Sequence, residues 1–75
     1  MAKASALETQ WQQLMTLCAA EKRFKSEGNH PKLLKIVKGD IDQLARDMGF
    51  SDRLIATRDF RAERHGSRIV RIITE

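Results

Sequence analysis

Four glycines and one proline divide the 75-residue chain into short segments and limit where helices and strands can run. Gly28 and Gly49 each follow a stretch with helical apolar spacing, which is where helix C-caps commonly place glycine. Pro31 stands where a helix can begin, because its missing N–H costs nothing in a first turn. Gly66 precedes a segment rich in β-branched residues. A chain this short holds one small domain, so we treat residues 1–75 as a single domain.

The first segment has the pattern of a long amphipathic helix. Ser5 and Glu8 have the spacing of a capping box, in which the two residues satisfy each other's backbone N–H groups. Apolar residues then recur at spacings of four, three and four, which is the period of one helix face. These residues are Leu7, Trp11, Leu14 and Cys18. The pattern predicts a helix from about residue 5 to residue 26, with Cys18 as a small core residue rather than a nucleophile.

The segment that begins at Pro31 is also helical, and Gly39 decides whether it forms one helix or two. Gly39 is followed by Asp40 and, three residues further, by Gln43, which has the spacing of a new capping box. The alternative is one helix over 31–48 that tolerates the glycine at a cost of about 1 kcal/mol. We expect two helices.

The end of the chain predicts a β-hairpin. Residues 68–74 are rich in β-branched side chains and are expected to form a strand. A three-residue loop over 65–67 would join it to a preceding strand. Pairing across that loop leaves Ile69 and Ile73 on one face and a second set on the other. The second set is Phe60, Ala62, Val70 and Ile72. Residues 54–64 fit neither the helical nor the strand period, so both structures stay open there.

Residues for catalysis and for metal binding are scarce. His30 and His65 lie far apart, Cys18 is the single cysteine, and no zinc-ligand spacing is present. The chain also lacks a glycine-rich phosphate-binding loop. We therefore expect no enzymatic activity, no metal and no cofactor. A single cysteine and the lack of a long apolar run predict a cytoplasmic protein that does not enter a membrane.

The net charge of +4 is concentrated in two stretches. Residues 20–38 carry six cations against two acids, and residues 51–75 carry six arginines against four acids. Arginine offers a planar fork that matches phosphate and carboxylate groups, whereas lysine acts as a mobile point charge. This distribution favours an anionic partner, either a nucleic acid or an acidic protein.

Residues 41–55 resemble a helix-turn-helix. Two helices that cross closely need a small residue at the crossing, and Ala45 supplies it. Gly49, four positions later, supplies a turn residue that can take a positive φ. Ser51 is then placed to cap the second helix. Apolar residues flank both points, namely Leu44, Met48, Phe50 and Ile55.

The resemblance extends beyond the turn. Gly49-Phe50-Ser51-Asp52, Thr57-Arg58 and Phe60 are similar to the second helix-turn-helix of AraC-type regulators. This implies duplex DNA as the partner and transcription regulation as the role. Three helices followed by a hairpin is also the order of a winged helix. The predicted fold is therefore mainly α, a small helix-turn-helix-like domain with a C-terminal β-hairpin in a winged-helix-like order.

On this hypothesis the second helix of the motif enters the major groove, and Arg53 reads a guanine edge. The hairpin acts as a wing whose arginines reach phosphate or the minor groove, and two lysines of the preceding helix add phosphate contacts. The predicted DNA-binding residues are Lys35, Lys38, Ser51, Arg53, Thr57, Arg58, Arg61, Arg64 and Arg68.

The competing hypothesis is a protein-binding module, an adaptor or inhibitor without catalytic activity that binds an acidic partner surface. Ile69 and Ile73 would give it an apolar strand face for pairing. RNA is a third candidate partner, although aromatic residues for base stacking are few. A homodimer is also expected, because one Trp and three Phe build a small core. The first helix and the last strand would then have apolar faces left to cover.

Overall fold

The computed structural model describes residues 6–74 as three helices followed by a two-stranded antiparallel hairpin. The elements are α1 (Ala6–Glu27), α2 (Pro31–Met48), α3 (Asp52–Thr57), β1 (Arg61–His65) and β2 (Arg68–Ile73). This is the predicted mainly helical domain with a C-terminal hairpin. Ser5, one half of the predicted capping box, lies outside the described residues. The open segment 54–64 contains the end of α3 and most of β1.

The first helix follows the sequence prediction to within one residue at each end. Trp11 and Leu14 are buried, and Cys18 packs against the core, as the apolar spacing predicts. Gly28 ends the helix with a φ of +72°, and its N–H donates to the carbonyl oxygen of Phe24 at 3.0 Å. Glycine reaches this conformation without the steric cost of a Cβ atom, so Gly28 fixes the end of α1.

The second helix is continuous, so the prediction of two helices broken at Gly39 is wrong. Gly39 keeps a helical backbone, whereas the other three glycines have positive φ. Side chains on both sides of it pack into the core, with Val37 half-buried and Ile41 fully buried. This packing offsets the cost of about 1 kcal/mol that a glycine brings to a helix interior.

The core forms between α1 and α2 and extends to the later elements. The short connection 28–30 makes the two helices antiparallel neighbours. The last helix packs on α2, and β2 packs on α1, so α3 and the hairpin form a second layer on one side of the helix pair. Phe50 and Phe60 join the two parts of this layer, with ring centroids 5.0 Å apart. The buried apolar residues are Trp11, Leu14, Ile41, Ala45, Phe50, Leu54 and Ile55.

The hairpin differs from the prediction in its loop and in the face that it buries. The turn holds only Gly66 and Ser67, with glycine at the position that type II′ turns give it. A β-bulge leaves Val70 without a cross-strand partner, because the register shifts between Glu63 and the next residue. Consequently Ile69 packs on the core together with Ala62 and Ile72, while Val70 is 55% exposed. The predicted grouping of Val70 with the core face is therefore wrong.

Replacing Gly39 by alanine should stabilise the protein. The backbone is already helical there, and a Cβ atom would meet no other atom within 4 Å. We expect the free energy of unfolding to rise by about 0.5–1 kcal/mol in urea titrations followed by circular dichroism.

The matched control is Gly49→Ala, because Gly49 has a φ of +102°. That substitution should lower the free energy of unfolding by about 1–2 kcal/mol. A loss of stability in Gly39→Ala of the same size would show that residue 39 is a hinge and that α2 is not continuous.

Candidate nucleic-acid interface

The turn between α2 and α3 begins with a left-handed glycine cap at Gly49. Ala45 is fully buried at the point where the helices meet. The N–H of Gly49 donates to the carbonyl oxygens of Ala45 and Arg46 at 3.1 and 3.0 Å, and the N–H of Phe50 donates to that of Ala45 at 3.0 Å. These bonds require the positive φ of Gly49, which the sequence predicted. The small residue, the glycine and their spacing are thus confirmed.

The third helix is capped as predicted and presents a polar outer side. The Oγ of Ser51 accepts a hydrogen bond from the N–H of Leu54 at 3.4 Å, so this hydroxyl is engaged in capping. Leu54 and Ile55 are buried and hold the helix on the core. Arg53 and Thr57 are exposed. Four residues were predicted to enter the major groove, namely Ser51, Asp52, Arg53 and Thr57; Asp52 is exposed like Arg53 and Thr57, whereas Ser51 is half-buried.

The last helix ends at a non-glycine residue in the left-handed conformation. Arg58 has a φ of +55°, and its N–H donates to the carbonyl oxygen of Ile55 at 3.1 Å. The N–H of Asp59 donates to the carbonyl oxygen of Leu54 at 3.0 Å, which completes the cap. A side chain in this region costs about 1–2 kcal/mol relative to glycine. Interactions of the Arg58 side chain must therefore offset that cost.

The guanidinium group of Arg58 joins all three helices. It donates two hydrogen bonds to the carboxylate of Glu21 on α1, at 3.2 and 3.0 Å. One of its terminal nitrogens also donates to Asp42 on α2 at 2.8 Å and to the carbonyl oxygen of Ile55 on α3 at 2.9 Å. We call Arg58, Glu21 and Asp42 the arginine junction.

Glu21 is a buried acid that the sequence reading missed. Its side chain is 8% exposed, and that of Arg58 is 27% exposed. A fork-to-fork pairing of this kind is the geometry in which arginine binds a carboxylate most strongly. The sequence does contain a signal for a buried Glu21, because this residue continues the apolar stripe of α1 three residues after Cys18. A charged residue in a core stripe needs a partner within the fold.

Burial and the arginine junction together shift the pKa values of Arg58 and Cys18. The hydrogen bond to Glu21 raises the pKa of the Arg58 guanidinium, so the group stays charged. Burial raises the pKa of the Cys18 thiol, and the charge of Glu21 raises it further. A protonated thiol is a poor nucleophile and a poor metal ligand. Cys18 is therefore a packing residue, as the sequence predicted.

Five exposed cations surround the arginine junction, and we call them the basic face. Lys22 and Lys25 line a depression of about 350 Å³ together with Arg58. Arg53 lines a neighbouring depression that also contains Arg58. Two lysines of α2 lie one and two turns before Asp42, on the same side of that helix. The five are Lys22, Lys25, Lys35, Lys38 and Arg53, and none forms a salt bridge to another described residue.

The hairpin arginines are separate from the basic face and differ in how far they are engaged. Arg61 is paired with Asp59 at 2.9 Å, and this contact lowers the pKa of the Asp59 carboxyl. Arg64 is exposed beside the first turns of α1, in a depression that also contains Trp11. Arg68 is 82% exposed and lies 3.9 Å from a carboxylate of Glu8. The hairpin tip therefore presents Arg64 and Arg68 more freely than Arg61.

Residues 6–74 contain neither a candidate metal centre nor a candidate membrane span. Within that range no cluster of three or more His, Cys, Asp or Glu residues is placed to hold a metal ion. Within the same range no helix combines the length and apolar character needed to cross a bilayer.

No protein-family model, curated protein or solved structure matches this chain.

Loss of the arginine junction should destabilise the fold. Arg58→Ala leaves Glu21 buried without a cation, and breaking a buried pair costs about 3–5 kcal/mol. Because the Arg58 side chain is 27% exposed, we expect the lower figure of about 2–3 kcal/mol in chemical denaturation. Arg61→Ala is the control, since its partner Asp59 is at the surface, and its denaturation midpoint should stay close to that of the parent protein.

A double substitution separates the pairing from simple loss of contacts. Glu21→Met combined with Arg58→Met removes both charges and keeps the apolar volume, so it should recover at least half of the stability lost in Arg58→Ala. Strictly additive losses from the two single methionine variants would contradict an interaction between Glu21 and Arg58.

Proposed function

We propose that the protein binds duplex DNA, with α3 in the major groove and the basic face against the phosphates. The observation that carries the proposal is the set of exposed cations that three helices place around Arg58. In the chain as a whole many charges are paired, whereas these five form no salt bridge to another described residue. Surface cations that are free of salt bridges can neutralise phosphates. The counterions that the DNA then releases favour binding.

The arginine junction supports this proposal by neutralising part of the negative charge on the face, since one guanidinium pairs with two carboxylates. Glu21 and Asp42 would otherwise lie among the lysines and repel phosphate. Their carboxylates are bound at 3.0 and 2.8 Å by the guanidinium of Arg58. Arg58, included among the predicted DNA contacts, is thus engaged within the fold, and we do not count it as a phosphate contact in the proposal.

The short third helix limits how much sequence the protein can read. With six residues α3 is about 9 Å long, and the major groove is about 12 Å wide. The polar side chains on its exposed side are Asp52, Arg53 and Thr57. Asp52 carries the same charge as phosphate, so Arg53 and Thr57 are the candidates for reaching base edges. Arg53 suits guanine, because its fork matches two acceptors of that base. We therefore propose that phosphate contacts supply most of the affinity and Arg53 most of the sequence preference.

The hairpin tip serves as a secondary contact in this proposal. Arg64 and Arg68 stand beside the two-residue turn and are exposed. They lie near the start of α1, away from Lys22 and Lys25, so they extend the footprint rather than add to the basic face. In this reading the protein is a cytoplasmic regulator of transcription, which agrees with its single unpaired cysteine.

Removing two lysines of the basic face should weaken binding to every DNA sequence alike. For Lys22→Ala combined with Lys38→Ala, the plot of log affinity against log salt should flatten by about two units, since each lost phosphate contact changes the slope by about 0.9. Fluorescence anisotropy with a labelled random duplex at several salt concentrations measures this slope.

Arg23→Ala is the matched control. Arg23 neighbours Lys22 in sequence but projects from another side of α1, is 76% exposed and is paired with Glu27. Its loss should leave the salt slope unchanged. If micromolar protein shows no binding to duplex DNA at about 50 mM salt, where phosphate contacts are strongest, the proposal is wrong.

Arg53→Ala should behave differently from the lysine variants. It should cost about 1–3 kcal/mol on a preferred site selected from random duplexes, and little on other sequences. A uniform loss across all sequences would show that Arg53 contacts phosphate only.

An acidic protein surface is the second candidate partner, and one observation favours it. The depression rimmed by Lys22 and Lys25 has an apolar floor of Met15, Cys18 and Phe60. Such a site suits an apolar side chain flanked by carboxylates. On this candidate the Lys22 and Lys38 double variant would lose its protein partner while any weak DNA binding kept the same salt slope.

A further inference from the structure

The side of the helix pair that faces away from α3 and the hairpin carries an open groove. Half-buried Leu17 of α1 and Leu44 of α2 supply its apolar part. The other lining residues are polar, namely Gln12, Gln13, Thr16, Asp40 and Gln43. Its volume is about 540 Å³. Asp42 and Arg46 lie on the other side of α2, where they contact residues of the second layer. The groove is therefore independent of the basic face.

Two large apolar side chains continue this groove along α2. Ile36 lies one turn before Asp40 and is 60% exposed, and Leu33 lies two turns before Asp40 and is 46% exposed. We call Leu17, Leu33, Ile36 and Leu44, with Thr16 and Asp40 at the edges, the outer face. The sequence reading expected uncovered apolar surface on the first helix and the last strand, whereas the structure places most of it on α2.

The area that two copies can share on the outer face is that of a weak dimer. When two α2 helices meet antiparallel at Ile36, residues 31–41 of each are apposed, a length of about 17 Å, and two neighbouring helices are together about 20 Å wide. The shared face therefore measures about 330 Å² per partner, which is below the standard interface size and in the range of weak, transient contacts. A pair of antiparallel helices with an apolar outer groove is also half of a four-helix bundle.

The distribution of charge favours a second copy of this chain over a differently charged partner on this face. Two copies with a net charge of +4 repel each other through their basic faces. Around Ile36, however, Lys32 lies one turn before and Asp40 one turn after. When a second α2 runs antiparallel and the two meet at Ile36, Lys32 of each copy is level with Asp40 of the other. The outer face is thus self-complementary.

We propose that the outer face binds a second copy of the chain, with the two α2 helices antiparallel and crossing at Ile36. The contact is isologous, as in most twofold dimers, so each residue of the face meets the same surface of its mate. This inference does not rest on DNA binding. Its test uses the protein alone, so failure of either proposal leaves the other to be judged separately.

Sedimentation equilibrium of the full chain tests the proposal. From about 10 μM to about 1 mM, the range in which modest interfaces form, the mass should rise from 8.6 kDa towards twice that value. Ile36→Glu should raise the dissociation constant at least tenfold without unfolding the domain, because the side chain is already 60% exposed. Val70→Glu is the matched control, since Val70 is 55% exposed on the hairpin, and it should dimerise like the parent protein.

Charge reversal gives a second readout that does not depend on apolar contact. Asp40→Lys should weaken the dimer, and adding Lys32→Asp should restore it. A mass of 8.6 kDa at all concentrations would overturn the proposal. So would dimers lost in Val70→Glu but kept in Ile36→Glu, or a mass that rises beyond two copies. Circular dichroism of each variant confirms that the fold is retained.

Discussion

The arginine junction is the interaction on which the arrangement of the three helices depends. Arg58 stands at the end of α3 in a left-handed conformation that an arginine adopts only at a cost. Its guanidinium compensates by binding Glu21 of α1 and Asp42 of α2. Both the helix end and the buried acid are thereby satisfied, and no buried side-chain nitrogen or oxygen in the described residues lacks a partner. Apolar contacts bring the helices together, but this junction fixes where α3 ends and how it faces α2.

The same junction reduces the negative charge of the surface around it. Without Arg58 the region between α1 and α2 would hold two unpaired carboxylates among four lysines. With the guanidinium in place Glu21 is buried in an ion pair, and Asp42, although 47% exposed, is paired as well. The stabilising contact and the proposed binding surface are therefore parts of one electrostatic arrangement. In contrast to the basic face, the outer face of the helix pair is close to neutral and exposes apolar side chains.

The sequence predicted those features that depend on local chemistry. The extent of α1, the left-handed Gly49 and the capping role of Ser51 follow from spacing and residue type, and each is present. Features that depend on tertiary packing were missed or wrong. Gly39 looked like a break because the packing of its neighbours on α1 is not visible in a single segment. The buried face of β2 was predicted wrongly because a β-bulge changes the alternation of side chains along the strand. The residues around Val70 carry no sequence signal that predicts a bulge.

The partners in the arginine junction are far apart along the chain, and this has a consequence for the order of folding. Arg58 is separated from Asp42 by 16 residues and from Glu21 by 37. The helical hairpin of α1 and α2 needs only a three-residue connection, so its contacts form early and quickly. The junction can close only after that hairpin exists and α3 has docked on it. A contact made after the transition state slows unfolding without speeding folding, so we expect Arg58 to affect the lifetime of the native state more than the time taken to reach it.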